Sequence, residues 1–167
     1  LNNPPVAVLI DRKRTPMSLQ ICHLTASDIP LMHALLTTFA EAFDDVDTYS
    51  SNRPSEDYLR QRLADSTFIA VAAIKGDDVV GGIAAYELKK FEQARSEIYI
   101  YDLAVLSAHR REGIATALIE KVREIAAERG AYVVYVQADT GVEDAPAISL
   151  YSKLGKREDV LHFDIPV

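Results

Sequence analysis

The chain has 167 residues, 49% hydrophobic and 26% charged, a balance that fits one globular domain and excludes wholesale disorder. Lys+Arg 18 against Asp+Glu 25 leave a formal charge of −7, which argues against a nucleic-acid binder and suits a cationic partner. No apolar run reaches the roughly 18 residues of a membrane-spanning helix, so no membrane role is expected. The single cysteine, Cys22, excludes an internal disulfide and points to a reducing, cytoplasmic setting.

Residues Leu1 to Pro16 carry Pro4, Pro5 and Pro16, the basic run Arg12-Lys13-Arg14 and no helical period. They read as an N-terminal extension or arm, with Met17 an alternative start, ahead of one domain over 17–167. Apolar Val6 to Ile10 precede the basic residues, the reverse of a secretory leader. Leu19 to Leu24 is the first strand. Ser27 offers an N-cap, with Asp28 and Pro30 in the first turn of a helix reaching about Phe43. The acidic loop Asp44-Asp45-Val46-Asp47 follows, then a helix over Glu56 to Ala64 capped by Ser55. Thr67 to Ile74 and Val79 to Leu88, joined at Gly76-Asp77-Asp78, read as an antiparallel hairpin. Arg95 to Val105 is a third long strand. Ile114, Leu118, Ile119, Val122, Ile125 and Ala126 mark one face of a helix from about Gly113 to Arg129, with Gly130 as its stop. Tyr132 to Gln137 is a buried-type strand, Pro146 to Leu154 a short helix ended by Gly155, and Val160 to Ile165 a last strand. The resulting class is α+β, and its strand–helix–strand unit implies at least one parallel strand pair.

The chemistry concentrates after the third long strand, in Asp102-Leu103-Ala104-Val105 and then Arg110-Arg111-Glu112-Gly113-Ile114-Ala115-Thr116. A loop there feeds a helix N-terminus, whose unpaired N–H groups and dipole favour an anion. Gly113 and Ala115 leave the main chain open to close approach, and the two arginines add formal charge. A diphosphate is the expected guest. Neither a G-x-G-x-x-G nor a G-K-[ST] motif is present at this junction, so Rossmann and Walker sites are set aside.

R-R-E-G-I-A-T-A-L after D-L-A-V resembles the acetyl-CoA-binding motif Q/R-x-x-G-x-G/A of the GNAT N-acetyltransferases, and D-A-P-A-I-S-L-Y-S-K-L-G resembles their second signature. Y-I-Y-D-L-A-V, K-F-E-Q-A-R-S-E, A-Y-V-V-Y-V-Q-A-D and H-F-D-I are similar to the GNAT-type aminoglycoside 3-N-acetyltransferases. The resemblance implies a mixed, mostly antiparallel sheet splayed between its fourth and fifth strands and flanked by helices. It implies acetyl transfer from acetyl-CoA, without a metal, to the 3-amino group of 2-deoxystreptamine in aminoglycosides, by direct attack in a ternary complex. An acidic chain suits such polycationic acceptors. Another polyamine, a protein amine, or a non-catalytic acetyl-CoA sensor are the alternatives. GNAT enzymes are often homodimers, so a homodimer is expected, with Val160–Ile165 as an edge available for pairing.

By the same resemblance, the backbone of Leu103, Ala104 and Val105 pairs with pantetheine, and Arg110, Arg111, Glu112, Gly113, Ile114, Ala115 and Thr116 hold the pyrophosphate. Tyr151 matches the tyrosine that serves the leaving thiolate; on spacing alone it would be a core residue beside Ile148 and Leu154. A phenol stays protonated where a thiol does not. Asp102 is the expected base for the acceptor ammonium. Strand alternation puts Glu97, Tyr99 and Tyr101 on one face and Ile98, Ile100 and Asp102 on the other, so Glu97 is an alternative base from the opposite face unless a bulge changes the phase. A backbone N–H near Val105 is the expected oxyanion donor. Acceptor carboxylates are sought in Asp44, Asp45 and Asp47, and in Asp139, Glu143 and Asp144, all of which also suit solvated loops. Asp144 departs from the asparagine common in the family, and Lys156 from an apolar residue. His23, His33, His109 and His162 sit on separate elements without metal-ligand spacing, and Cys22 reads as a small buried hydrophobe.

Overall fold

A computed structural model of the chain describes residues 18–167, so the expected N-terminal extension lies outside them. Its elements are β1 (Leu19–His23), α1 (Ile29–Phe43), α2 (Glu56–Ala64), β2 (Phe68–Lys75), β3 (Asp78–Lys89), β4 (Ser96–Val105), α3 (Ile114–Arg129), β5 (Ala131–Val136) and α4 (Ala145–Leu154). The strands form one sheet in the order β1-β2-β3-β4-β5. Pairing is antiparallel from β1 to β4, and β5 runs parallel to β4. The α3 crossover makes that parallel pair possible, because a short turn cannot return the chain to the same end of the sheet.

Each face of the sheet has its own core. On one, α3 lays Ile114, Leu118, Ile119, Val122, Ile125 and Ala126, the six residues its period picks out, against Ile69, Val71, Ile83, Ile98 and Ile100. On the other, α1 and α2 bring Leu35, Phe39 and Leu59 onto Ala70, Ala72, Ala84 and Ala104. These strand residues are small because the helix comes close. A Cβ on Gly82 would sit 2.3 Å from the Leu35 Cδ1 and 2.6 Å from the Val71 carbonyl oxygen, so only glycine fits there. At the far end of α3, Gly130 takes φ +71° and its N–H returns to Ala126 and Ala127, the left-handed C-cap that glycine permits. Ser55 accepts the Tyr58 N–H as the expected cap of α2.

Four expectations change. The strand at Tyr132–Gln137, expected as buried-type, leaves Tyr132 and Val133 exposed at the edge of the sheet. Asp28, not Ser27, precedes α1, and its carboxylate is taken up by the Thr25 N–H and hydroxyl, both at 2.7 Å. Residues 47–51, expected as loop, form a turn of π-helix. The alternating stretch Val160–Ile165 forms no strand; residues 156–167 carry no regular element, and Val160, Leu161, Phe163 and Ile165 are exposed. Alternation says which face of a strand would be buried but supplies no neighbour to pair with.

Candidate active site

Pairing between β4 and β5 ends at Ile100 with Val136, whereas β4 continues to Val105. Beyond Ile100, no strand pairs with the β5-side edge of β4 among the described residues. Two strands therefore part there, leaving room for an extended ligand to add to the free edge as a strand would. Leu103 and Val105 turn their side chains to the α3 core, and Ala104 is buried on the α1 side.

A bulge at Tyr101 decides what faces this opening. Ala84 pairs with Asp102 while the next residue, Ala85, pairs with Ile100, so Tyr101 is the extra residue on β4. One inserted residue reverses the alternation beyond it. Ile98 and Ile100 face α3 before the bulge, and Leu103 and Val105 face it after. Asp102 is thereby carried onto the face of Glu97 and Tyr99, which corrects the opposite-face placement read from strict alternation.

On that face, Asp102 is partly buried and its Oδ1 accepts the Tyr49 hydroxyl at 3.0 Å. Burial pushes its carboxyl up from the ordinary range, with the Tyr49 hydrogen bond acting the other way. No lysine or arginine pairs with it among the described residues. Glu97 is engaged quite differently. It accepts from the Tyr132 hydroxyl at 2.6 Å and from Lys90 at 3.5 Å, and these partners hold its carboxyl below the usual range.

Around the two carboxylates lies a tyrosine sheet surface. Tyr99 stacks on Tyr135 with centroids 4.9 Å apart and planes 11° apart, and its hydroxyl donates to Gln137 Oε1 at 2.9 Å. Tyr101 stands edge-on to both Tyr99 and Tyr86. Burial pushes the phenols of Tyr86, Tyr99 and Tyr135 up, so they remain hydroxyl donors at neutral pH. Sequence reasoning missed this group. The signal available was the Tyr-Ile-Tyr run of β4 with Tyr135 at parallel register.

At the end of β4, Arg111 takes φ +66° and Gly113 φ +81° as the chain turns into α3. The left-handed backbone costs a non-glycine residue roughly 1 kcal/mol. Left-handed residues in a tight turn draw successive N–H groups to one side, a concavity that suits anions. No side chain caps α3, so its first N–H groups remain available. Charge is distributed less simply than expected. Arg110 Nε donates to the Val105 carbonyl at 3.2 Å, and Glu112 pairs with Lys75 and lies 3.6 Å from His109 Nδ1. Arg111 is exposed and makes no side-chain hydrogen bond or ion pair among the described residues.

Tyr151 packs from α4 against the core that holds Leu103, Val105 and Val136. Burial pushes its phenol up, and the Asp144 charge adds to this. Tyr151 and Asp102 thus belong to opposite faces of the sheet, one on each side of the opening. None of the remaining candidate carboxylates shares a hydrogen bond with Asp102 or Tyr151 among the described residues. Asp45 is bound to the Thr48 N–H at 3.0 Å, Asp44 closes α1 in the left-handed region, and Asp139 and Glu143 are exposed.

Residues 32–156 match the acetyltransferase (GNAT) family. N-acetyltransferase 8B of Rattus norvegicus is 30% identical over 107 residues, 64% of this chain and 47% of that protein. Streptothricin acetyltransferase of Streptomyces lavendulae is 36% identical over 101 residues, 60% of this chain and 49% of that protein. The chain therefore spans about half the length of these relatives. Among solved structures, an aminoglycoside acetyltransferase from an uncultured soil metagenomic sample is 64% identical, with TM-score 0.89 over 90% of this chain and 99% of that one. A second such enzyme, in complex with sisomicin, is 28% identical, with TM-score 0.81 over 89% of this chain and 96% of that one. The open strand edge, the uncapped α3 turn and these matches agree: the chain belongs to the GNAT family of acetyltransferases.

Proposed function

We propose that the chain transfers acetyl from acetyl-CoA to an amino group of aminoglycosides, at the 3-amino position of the 2-deoxystreptamine ring, by direct attack in a ternary complex. The observation that carries the acceptor side is Asp102, a partly buried carboxylate with no cationic partner among the described residues, set beside a tyrosine surface where β4 and β5 part. Such a surface suits a polyammonium sugar. Tyrosine faces attract ammonium groups and cover the apolar side of the ring, while carboxylates set its orientation. The likeness to aminoglycoside acetyltransferases at 64% and 28% identity supports the same acceptor class.

Acetyl-CoA brings an activated acyl group, so the chain has to align, deprotonate and stabilise. The β4 edge over Leu103 to Val105 receives the pantetheine arm, and the turn from Arg110 to Thr116 receives the diphosphate through N–H groups and the α3 dipole. Asp102 accepts a proton from the acceptor ammonium, and its raised affinity for protons brings it closer to that task at neutral pH. The amine lone pair then forms the N–C bond and the C–S bond breaks. Tyr151, kept protonated by its burial, donates to the departing thiolate. An N–H near Val105 faces the developing oxyanion.

Thiol release from acetyl-CoA, followed with gentamicin, kanamycin, spermidine and no acceptor, tests this reading. Release with gentamicin well above the spermidine and blank rates is expected, with the product acetylated at the 3-amino group by NMR. Turnover with spermidine alone would overturn the acceptor class, and acetylation at another ring position would overturn the regiochemistry.

A further inference from the structure

Tyr49 is 53 residues before Asp102 in sequence, yet its hydroxyl makes the one hydrogen bond that Asp102 receives from a side chain among the described residues. The ring is wedged edge-on to Phe39, with centroids 5.7 Å apart, and against Phe43 at 5.6 Å. Its backbone is tied as well: the N–H donates to the Asp45 carbonyl at 3.3 Å, and the carbonyl accepts from Arg53 Nε at 3.3 Å. Asp45 in turn caps Thr48, so the acidic loop is folded around this residue. A ring fixed on this many sides loses little freedom in making its hydrogen bond. The bond occupies Oδ1 of Asp102 and leaves Oδ2 without a partner among the described residues. The titratable groups facing Asp102 are Tyr49 from the π-helical turn, Tyr86 from β3, and Tyr99 and Tyr101 from β4, with the Asp45 charge acting on Tyr49.

We propose that Tyr49 is a positioning residue for acetyl transfer: its hydroxyl fixes Asp102 through Oδ1 and turns Oδ2 to the acceptor. This rests on the reading of Asp102 as the base. In the step it serves, an N–H bond of the acceptor ammonium breaks, an O–H bond forms at Oδ2, and the freed lone pair attacks the thioester carbonyl. Tyr49 keeps its own proton throughout, because burial and the adjacent Asp102 charge push its phenol far above neutrality. Because the hydrogen bond favours the carboxylate, its removal raises the pH at which Asp102 becomes a base.

The test compares pH profiles of kcat/KM with gentamicin for the unaltered chain, Tyr49→Phe, Asp102→Asn, and a protein carrying 3-fluorotyrosine at position 49. Acetyl-CoA affinity by calorimetry reports folding. Tyr49→Phe should move the acidic limb up by about one pH unit, the effect of one hydrogen bond to a charged group. The fluorinated phenol, a stronger donor, should move it down. Loss of activity in Asp102→Asn with an unmoved limb in Tyr49→Phe would leave the base in place and overturn the role of Tyr49. Near-full activity in Asp102→Asn would overturn the base, and this proposal with it. If Tyr49→Phe no longer binds acetyl-CoA, the fluorotyrosine protein decides, and an unmoved limb there overturns the proposal.

Discussion

The same β-sheet presents two different floors on its α1 side. Under α1 and α2 the strands carry Ala70, Ala72, Ala84, Ala104 and Gly82, because a helix lies directly on them. On β5 and on β4 before Leu103, the floor is Tyr99, Tyr101 and Tyr135 with Glu97 and Asp102. One half is a core closed by small residues. The other keeps large amphipathic side chains facing outward, which packing alone does not require. The contrast teaches where to look for the acceptor: on the part of this face that no helix covers among the described residues, next to the point where β4 and β5 part.

That contrast can be broken from either side. Tyr151→Phe should lower kcat by roughly 100-fold, the usual scale of a lost general acid, with little change in acetyl-CoA affinity by calorimetry. An unchanged kcat would leave Tyr151 as packing only. On the closed half, Gly82→Val should destabilise the fold by about 3 kcal/mol, since its side chain must enter Leu35 and the Val71 carbonyl; urea unfolding measures it. On the open half, Tyr135→Ala should leave kcat largely intact and raise the acceptor KM by roughly fivefold, about 1 kcal/mol for one lost aromatic contact. Steady-state kinetics with varied gentamicin check this, and a change in acetyl-CoA KM instead would move Tyr135 to the donor side.

The smallest expected effect concerns stability. Asp102 binds its proton more tightly folded than unfolded, so the stability it contributes is present at low pH and lost as pH rises through its raised folded value. Asp102→Asn removes that loss. Melting temperature should rise by a few degrees at pH 8 and by less at pH 4.

Much of this was legible in residue patterns. The six-residue stripe of α3, the Gly130 stop and the Ser55 cap appear where period and capping chemistry put them. The turn into α3 was legible at Gly113, which takes a left-handed backbone that few other residues accept. The tyrosine face was not. Its phase depends on a bulge at Tyr101, a residue type that gives no local sign of one, and strict alternation placed Asp102 on the wrong side. Tyr49 reaches Asp102 only through tertiary folding, and the Arg110 guanidinium turns back to Val105 instead of standing free. Val160–Ile165 failed for the complementary reason: its pattern was clear, but no strand pairs with it among the described residues.

The most direct test is kcat for Asp102→Asn with acetyl-CoA and gentamicin, measured beside the unaltered chain at saturating donor. A fall of about 100-fold or more, the scale of a lost general base, with acetyl-CoA binding retained, is the expected result. A kcat within twofold of the unaltered chain would contradict the assignment of Asp102, and the acceptor would have to be activated elsewhere on the sheet.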